Sequence, residues 1–346
     1  SMLCLVSLES RIAADHPLRG IKKLADAALR RLSERFDAMY AKCGRPSIPP
    51  ERLLKALLLI ALHSVRSERQ FCEQLEYNLL FRWFLDMDLM EPAFDASTFS
   101  RNRQRMLDSA IAAQFFQAVR DQGAELMSRE HFSVDGTLIE SWASIKSFRP
   151  KDDDPGQGDS NGWGDFRGHK RSNQTHQSKT DPEARLMRKG RGREAKLSFG
   201  GHALVENRHG LLVDLRVSEA TGRSERQTAI EMLEQRQRRR RITVGADRGY
   251  DSTDFVGHCR DAKITAHVAQ NTHCRSAIDG RTVRHAGYAI SQRVRRRIEQ
   301  VFGWIKTVGG LRRSRYRGRQ RTQFAAHLVG AAYNLLRIAK LVAHSP

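Results

Sequence analysis

Apolar side chains recur at three- and four-residue intervals through the first 130 residues, where strand-like alternation is rare. This spacing is typical of amphipathic helices that bury one face. A first helix is predicted to end near Gly44, and its apolar positions are Leu24, Ala28, Leu32 and Phe36. A second is predicted to start at Pro50, with the apolar positions Leu53, Leu54, Leu57, Leu58 and Ala61. A third is predicted from about Ser67 to Phe84. Residues 1–130 are therefore predicted to form a helical domain.

A short fourth helix is predicted after Phe94, with Asp95 or Ser97 as its N-terminal cap. Ser97, Arg101 and Arg105 fall on one polar face of this helix at four-residue spacing. Polar and cationic side chains on an exposed helix suit contacts with DNA grooves and phosphates. A solvated face without DNA explains the same pattern equally well, and the sequence leaves both interpretations open.

The periodicity changes to strand-like alternation at residue 131. The predicted order is a strand at 131–139, a hairpin at 199–206 and 211–217, a helix opening at Ser224, a strand ending at Asp247, a helix at 252–262, a strand at 264–268 and a helix at 291–308. The residues from Ser224 to Gln227 resemble a capping box. This order of elements is that of a ribonuclease-H-like domain. The sequence thus predicts an α/β (α+β) fold, in which a mixed-sheet domain at 131–346 follows the helical N-terminal domain.

Residues 148–196 interrupt the mixed-sheet domain with many Gly, Ser, Asn and charged side chains. Their few apolar residues are Trp163, Phe166, Leu186 and Met187, too few to form a packed core. We therefore predict a long, mobile, basic insertion, for which ordering on a polyanion is one hypothesis.

Basic residues strongly outnumber acidic ones: 60 Lys and Arg stand against 39 Asp and Glu, for a formal net charge of +21. Such an excess favours a polyanion partner, with double-stranded DNA as the first hypothesis and a merely basic enzyme as the alternative.

The five cysteines are odd in number and never spaced C-x-x-C, which argues against a disulfide framework and a zinc module. The chain is therefore expected to be intracellular. Residues 53–62 are its most apolar stretch, but they include Lys55 and reach only about half of the ~20 residues of a bilayer span, so no membrane partner is expected.

Three carboxylates are candidates for metal-dependent chemistry. Asp247 ends a short apolar strand directly before a loop, where α/β sheets commonly present active-site acids. Asp135 lies in another predicted strand, and Glu299 lies beside the apolar stripe of the last predicted helix. That stripe consists of Val294, Ile298, Val301, Ile305 and Val308. Arg295 and Lys306 fall near the same face as Glu299. Phosphodiester cleavage by two Mg²⁺ ions needs such oxygen ligands, although a lone carboxylate of this kind is usually only solvated.

The chain carries Asp-Gly-Thr at Asp135, Asp-Arg-Gly-Tyr-Asp at Asp247, and Arg295 followed by Glu299, Lys306 and the arginine-rich residues 311–321. Residues 44–106 include Leu-Leu-Lys-Ala-Leu-Leu at 53–58 and Ser-Thr-Phe-Ser at 97–100. Together these motifs resemble the DDE transposases of bacterial insertion sequences, specifically the fifth insertion-sequence family, and its helical N-terminal domain.

The resemblance implies that Asp135, Asp247 and Glu299 form a catalytic triad that binds Mg²⁺, for which Mn²⁺ substitutes. It implies that Arg295 and Lys306 accompany the glutamate in binding DNA. It also implies that the partners are double-stranded DNA, namely the terminal inverted repeats of the element and the target DNA. A homodimer on DNA and a cytoplasmic location in a bacterium are expected on the same ground.

One position departs from the family pattern. A tyrosine usually lies three residues before the arginine, and Gln292 occupies that place here, with Tyr288 one helical turn earlier. The contact with the DNA end that is usually given to this tyrosine therefore has no evident carrier in the motif.

The sequence is interpreted as that of a transposase that binds the ends of its element, hydrolyses a phosphodiester and joins the freed 3′-hydroxyl to target DNA. Further DNA contacts are predicted for Arg312, Arg313, Arg315, Arg317, Arg101 and Arg105. Two alternatives are a catalytically inactive, transposase-derived DNA-binding protein and an RNA-binding protein. Loss of a triad acid would favour the inactive DNA-binding protein. An RNA-binding protein does not need carboxylates at the ends of strands.

Overall fold

A computed structural model describes residues 7–39, 47–107, 110–151, 172–190, 192–236, 241–273 and 275–344. The predicted helix end near Gly44 lies outside these ranges, as do residues 152–171 and 191 of the predicted insertion.

The described residues before position 131 are helical, as predicted. They form α1 (Leu8–Arg11), α2 (Pro17–Arg30), α3 (Ser33–Met39), α4 (Pro50–Leu62), α5 (Glu68–Tyr77), α6 (Leu79–Phe84), α7 (Ala96–Leu107) and α8 (Ile111–Gln122). The predicted first helix is divided into α2 and α3, and the predicted third helix into α5 and α6. Asn78 marks the second division, because its side chain caps α6 by accepting the N–H of Phe81. Asp95 is the cap of α7: its Oδ1 accepts the N–H groups of Ser97 and Thr98, each at 3.0 Å.

The later residues build a mixed sheet with helices around it. The strands are β1 (His131–Glu140), β2 (Phe148–Pro150), β3 (His176–Ser178), β4 (Arg185–Met187), β5 (Lys196–Glu206), β6 (Leu212–Glu219), β7 (Thr243–Ala246) and β8 (Thr265–Val268). The helices are α9 (Ser224–Arg236), α10 (Thr253–Asp261), α11 (Gly280–Arg284), α12 (Ala286–Val294), α13 (Arg297–Thr307) and α14 (Arg319–Ala343).

Strand β1 lies at the centre of the main sheet. It runs antiparallel to β5 on one side and parallel to β7 on the other, and β8 continues the parallel side. The outer edge of β5 is shared by β6 and β4, which are both antiparallel to it. Antiparallel strands β6, β5 and β1 followed by parallel strands β7 and β8 form a ribonuclease-H-like sheet. The predicted fold class is therefore confirmed.

The described part of the predicted insertion belongs to the fold. Strand β4 pairs with the start of β5, and β3 pairs with β2. Asp181 is 1% exposed, and its carboxylate accepts hydrogen bonds from Ser141 Oγ at 2.8 Å and from the N–H of Gly318 at 3.2 Å. Strand pairing and a buried carboxylate thus hold these residues, although the segment has few apolar side chains and the sequence predicted a mobile insertion.

Helix α14 packs against both predicted domains. It contacts α2, α4 and α8 of the helical part and β6 of the sheet. Phe324, Leu328 and Leu335 of this helix are buried in one hydrophobic cluster to which both parts contribute. The two predicted domains therefore share a core. None of the helices within the described ranges is both long and apolar enough to cross a membrane.

Candidate active site

One of the predicted acids, Asp135, lies on β1, and another, Asp247, directly follows the neighbouring parallel strand β7. Ser133 of β1 is in register with Gly245 of β7. Asp135 and Asp247 each follow these partners by two residues, so they lie at the same level of the sheet. Neighbouring strands are about 4.8 Å apart, which brings the two carboxylates close together.

All three predicted acids line one cavity of about 680 Å³. Glu299 lies in the first turn of α13, and its side chain is exposed. Lys306 and Arg312 line the same cavity. The structure thus brings together three acids and two of the predicted DNA-binding cations from distant parts of the sequence.

Burial and neighbouring charges disfavour ionisation of Asp135. Burial raises the pKa of its carboxyl to about 7, and the charges of Asp247 and Glu225 add to this effect. A hydrogen bond of 2.8 Å from the N–H of Gly136 and the positive charge of Arg295 act in the opposite direction. In the metal-free protein Asp135 therefore lies in surroundings that favour its neutral form.

Glu225, which the sequence motifs did not identify, also lines the cavity. Its carboxylate lies against Gly136, and its Oε1 accepts a hydrogen bond of 3.3 Å from the hydroxyl of buried Tyr250. Burial raises the pKa of Glu225, and the charge of Asp247 raises it further. The sequence placed Glu225 in a capping box, so its orientation toward the sheet was missed.

The capping interaction itself lies three residues earlier than predicted. The N–H of Ser224 donates to Thr221 Oγ1 at 3.1 Å, and the N–H of Thr221 donates to Ser224 Oγ at 3.2 Å. These reciprocal hydrogen bonds satisfy the start of α9 without Glu225.

The loop after Asp247 is held by side chains of its own motif. Asp247 Oδ1 accepts the N–H of Gly249 at 2.7 Å and caps the short 3-10 helix Arg248–Tyr250. Asp251 accepts the N–H groups of Asn271 at 2.7 Å and of Ala277 at 2.8 Å. The second aspartate of the motif therefore anchors the loop after β8.

The predicted helix at 291–308 is two helices, α12 and α13, joined at Arg295 and Arg296. The N–H groups of Ile298 and Glu299 donate to carbonyls three residues back, at 3.1 Å each, in place of the four-residue spacing of an α-helix. Ile298, Val301 and Ile305 are buried, which confirms the central part of the predicted apolar stripe. The tighter turn places Glu299 in the first turn of α13, where the helix dipole favours a negative charge.

Helix α12 is fastened to the end of β8. Tyr288 donates its hydroxyl hydrogen to the carbonyl of Val268 at 3.0 Å, and Gln292 Nε2 donates to the carbonyl of His267 at 2.6 Å. Arg295 Nε donates to Gln292 Oε1 at 2.9 Å. The residue in the place of the family tyrosine therefore positions Arg295.

The cavity also has a basic side. Burial lowers the pKa of Lys306, and the positive charges of Lys189 and Arg312 lower it further. Arg188 and Lys189 line the cavity as well. The sequence analysis missed these two because they lie in the segment predicted to be mobile, although a basic pair after apolar Met187 was the available signal.

The other predicted arginines fall into two groups. Arg313 donates to the carbonyls of Ser141 and Trp142 at 3.1 and 2.8 Å, and Arg315 donates to the carbonyl of Val65 at 2.9 Å. These guanidinium groups hold the protein's own backbone. The second group consists of Arg317 after α13 and Arg101 and Arg105 on α7, which are exposed, as Arg313 and Arg315 also are. None of the three lines the acidic cavity described above.

The end of β1 is joined to the segment after α13 by backbone hydrogen bonds. The N–H of Glu140 donates to the carbonyl of Arg312 at 3.0 Å, and the N–H of Ser314 donates to the carbonyl of Glu140 at 2.7 Å. The strand that carries Asp135 and the segment that carries Arg312 are thus directly connected.

The donor set of the cavity fits a divalent cation bound by few protein ligands. Within the described ranges no three His, Cys, Asp or Glu side chains surround a single ion position. Mg²⁺ is, however, typically bound by one or two carboxylates together with water and substrate phosphate. Asp135 and Asp247 at adjacent strand positions supply such a pair, and a cation between them would relieve the repulsion that raises the pKa of Asp135.

The fold and the cavity define a ribonuclease-H-like domain with clustered carboxylates. Two family models match the chain: "Transposase domain (DUF772)" at residues 6–105 and "Transposase DDE domain" at residues 164–335. The chain belongs to the DDE transposases of the insertion-sequence type. The second match contains Asp247 and Glu299, and Asp135 lies before its start.

Solved structures similar to this chain include DNA complexes of two transposases. A piggyBac transposase synaptic complex with hairpin DNA is 9% identical with a TM-score of 0.42, and the match covers 94% of this chain and 75% of that chain. A pre-cleavage Mos1 transpososome is 10% identical with a TM-score of 0.20, over 90% and 86% of the two chains. A Mos1 paired-end complex with Mn is 12% identical with a TM-score of 0.20, over 88% and 84%. No curated protein matches the sequence. The fold assignment therefore rests on the strand order and register given above.

Proposed function

We propose that this transposase binds the ends of its insertion sequence and uses Mg²⁺, or Mn²⁺ in its place, to hydrolyse a phosphodiester and transfer the freed 3′-hydroxyl to target DNA. Asp135, Asp247 and Glu299 are the proposed catalytic, metal-binding residues. The observation that carries the proposal is the cavity that these three acids line together with Lys306 and Arg312.

Each group has a separate task in this scheme. Asp135 and Asp247 hold the cation between neighbouring strands, and Glu299 supplies a carboxylate from the helix side. When bound, divalent cations stabilise the attacking and leaving oxygens of the phosphodiester as Lewis acids. Lys306 and Arg312 attract the phosphate and orient the scissile bond toward the acids.

The remaining DNA surface is proposed to extend from this cavity. Arg188 and Lys189 lie on its rim, and Arg295 contributes positive charge beside Asp135. Phosphates farther from the scissile bond are proposed to be contacted by Arg317, which follows α13, and by Arg101 and Arg105 on α7. Transfer of two element ends requires two active sites, so a homodimer on DNA is part of the proposal. Sedimentation of the complex with end DNA measures its protein stoichiometry.

The deciding experiment combines purified protein, Mg²⁺ and DNA that carries the ends of its own element. We expect cleavage that exposes a 3′-hydroxyl and a joined product with target DNA. Asp135→Ala, Asp247→Ala and Glu299→Ala should each abolish cleavage and keep DNA binding, because they remove ligands without removing basic surface. Asp254→Ala on α10, which removes an exposed acid outside the cavity, is the matched control and should cleave normally. Cleavage near the parental rate by a triad variant would remove that residue from the triad, and binding without cleavage by the parent would support the inactive DNA-binding alternative.

A further inference from the structure

We propose that Glu225 is a fourth carboxylate of the acid site and supports the binding of a divalent cation by Asp135 and Asp247. The inference rests on the proposed function, because it concerns the cation that this reaction would use. Glu225 belongs to none of the three motifs that carry the family resemblance.

The start of α9 leaves the side chain of Glu225 available for this role. Thr221 and Ser224 satisfy each other's backbone N–H groups, so the helix end does not need the glutamate. Glu225 lies next in the helix, and its carboxylate reaches the central strand β1 beside Asp135.

Gly136 provides the space for that carboxylate. A Cβ at position 136 would lie 2.7 Å from Cδ and 2.9 Å from Cγ of Glu225, too close for real atoms. The backbone does not itself require glycine here, since the φ of Gly136 is not in the left-handed region. A side chain at position 136 would therefore force the carboxylate of Glu225 to shift.

The loop after Asp247 positions the same side chain. Tyr250 is fully buried, and its hydroxyl donates to Glu225 Oε1 at 3.3 Å. One motif thus supplies both the acid Asp247 and the phenol that orients Glu225. A neutral amide would accept this hydrogen bond equally well, so the contact with Tyr250 does not explain why position 225 carries a charge.

A second side chain of the cavity indicates an additional bound species. His202 is 2% exposed and lines the cavity, and its Nε2 is hydrogen-bonded to Ser218 Oγ at 2.8 Å. Its Nδ1 is buried and has no hydrogen-bond partner among the described residues. A buried nitrogen in this state marks the place of an ordered water or ligand. Asp135, Asp247 and Glu225 line the same cavity.

The test is a titration of the full-length, metal-free protein with Mn²⁺ in the absence of DNA. Electron paramagnetic resonance measures the Mn²⁺ that is bound. Glu225→Gln keeps the volume and the acceptor for Tyr250, so the fold should persist, and thermal denaturation in EDTA checks this. We expect a loss of Mn²⁺ affinity of about 10-fold or more, the range seen when a supporting group of a metal site is removed. Glu231→Gln, on the exposed side of α9, is the matched control and should bind Mn²⁺ as the parent does.

Gly136→Ala tests the same geometry without touching an acid. It should displace the carboxylate of Glu225 and lower Mn²⁺ affinity by a similar factor. In a Glu225→Gly background the added methyl meets no carboxylate, so Gly136→Ala should have no further effect on Mn²⁺ affinity.

The outcomes separate this inference from the proposed function. If Asp135→Asn loses Mn²⁺ and Glu225→Gln binds it with parental affinity, Glu225 does not support the cation and the inference is overturned, while the proposed function stands. If Asp135→Asn also binds Mn²⁺ with parental affinity, the proposed metal site itself fails. An equal loss in Glu231→Gln would attribute the effect to the overall charge of α9 and would also overturn the inference.

Discussion

Arg295 Nε donates a hydrogen bond of 2.9 Å to the side-chain oxygen of Gln292. Gln292 is itself fixed to the carbonyl of His267 at the end of β8. The positive charge of Arg295 favours the ionised form of Asp135. Gln292 therefore acts on the acid site through the arginine that it positions.

We predict that Arg295→Ala moves the pH of half-maximal Mn²⁺ binding upward. The cation must displace the proton of Asp135, whose pKa is already raised to about 7, and loss of the neighbouring positive charge raises that pKa further. Gln292→Leu should give a smaller shift in the same direction. Arg296→Ala removes an exposed neighbouring charge and is the control. A midpoint that stays in place in Arg295→Ala would show that this charge does not reach Asp135.

We predict that Asp135→Asn stabilises the metal-free protein at pH 8. The folded-state pKa of about 7 lies above the ordinary value of 3.8, so the folded protein binds this proton more tightly than the unfolded chain. The contribution of the Asp135 carboxyl to the free energy of unfolding is therefore present at low pH and is lost as the pH rises from about 4 to 7. The variant has no such loss and should therefore have a higher melting temperature than the parent at pH 8. Thermal denaturation in EDTA between pH 5 and 8 measures it, and a variant that melts below the parent at pH 8 would contradict the burial argument.

The arginines after α13 are predicted to separate into two functional groups. Arg312 and Arg317 are exposed, so neutralising both should lower the slope of log affinity against log salt by about 0.9 for each lost duplex contact. Arg313→Ala should mainly lower the melting temperature, because its guanidinium holds the carbonyls of Ser141 and Trp142. Fluorescence anisotropy with end DNA over a salt series gives the slopes. An unchanged slope in the double variant would mean that no DNA lies on this surface.

Lys306→Ala is predicted to impair positioning of the DNA end more than metal binding. Lys306 lies among Lys189 and Arg312, and it acts on phosphate as a point charge. The expected result is an altered footprint on end DNA at an unchanged Mg²⁺ requirement for cleavage. The opposite result, a raised Mg²⁺ requirement with a parental footprint, would assign Lys306 to the electrostatics of the metal site.

Asp181→Ala is predicted to destabilise the fold without altering Mn²⁺ affinity. The substitution leaves Ser141 Oγ and the N–H of Gly318 without their buried partner, which costs about 1–3 kcal/mol. Asp254→Ala, which removes an exposed acid, serves as the control for thermal denaturation. A parental melting temperature for Asp181→Ala would show that the 172–190 segment adds no stability to the fold.

Sequence periodicity predicted the helices of the N-terminal part and the order of the main strands, because both follow from local alternation of apolar and polar side chains. The three motif acids could be placed in one cavity only through resemblance, and their catalytic roles stay predictions. Residues 224–227 were predicted to form a capping box, since a Ser-Glu-Arg-Gln sequence does not reveal that Thr221 already supplies the cap or that Glu225 faces the sheet. The segment around Asp181 escaped prediction for a different reason: pairing with β5 and one buried carboxylate leave no periodic signal in the sequence.

The two hydrogen bonds between Glu140 and the segment after α13 use only main-chain atoms. Ordinary substitutions on either segment leave main-chain donors and acceptors in place, with proline as the exception. Mutational drift at Arg312 and its neighbours can therefore change the charge that is proposed to contact DNA while the spacing to the strand of Asp135 is kept. The distance between the two segments is thus independent of the charge on the Arg312 segment. Related elements could therefore diverge in the DNA ends they accept and retain the same arrangement of acids.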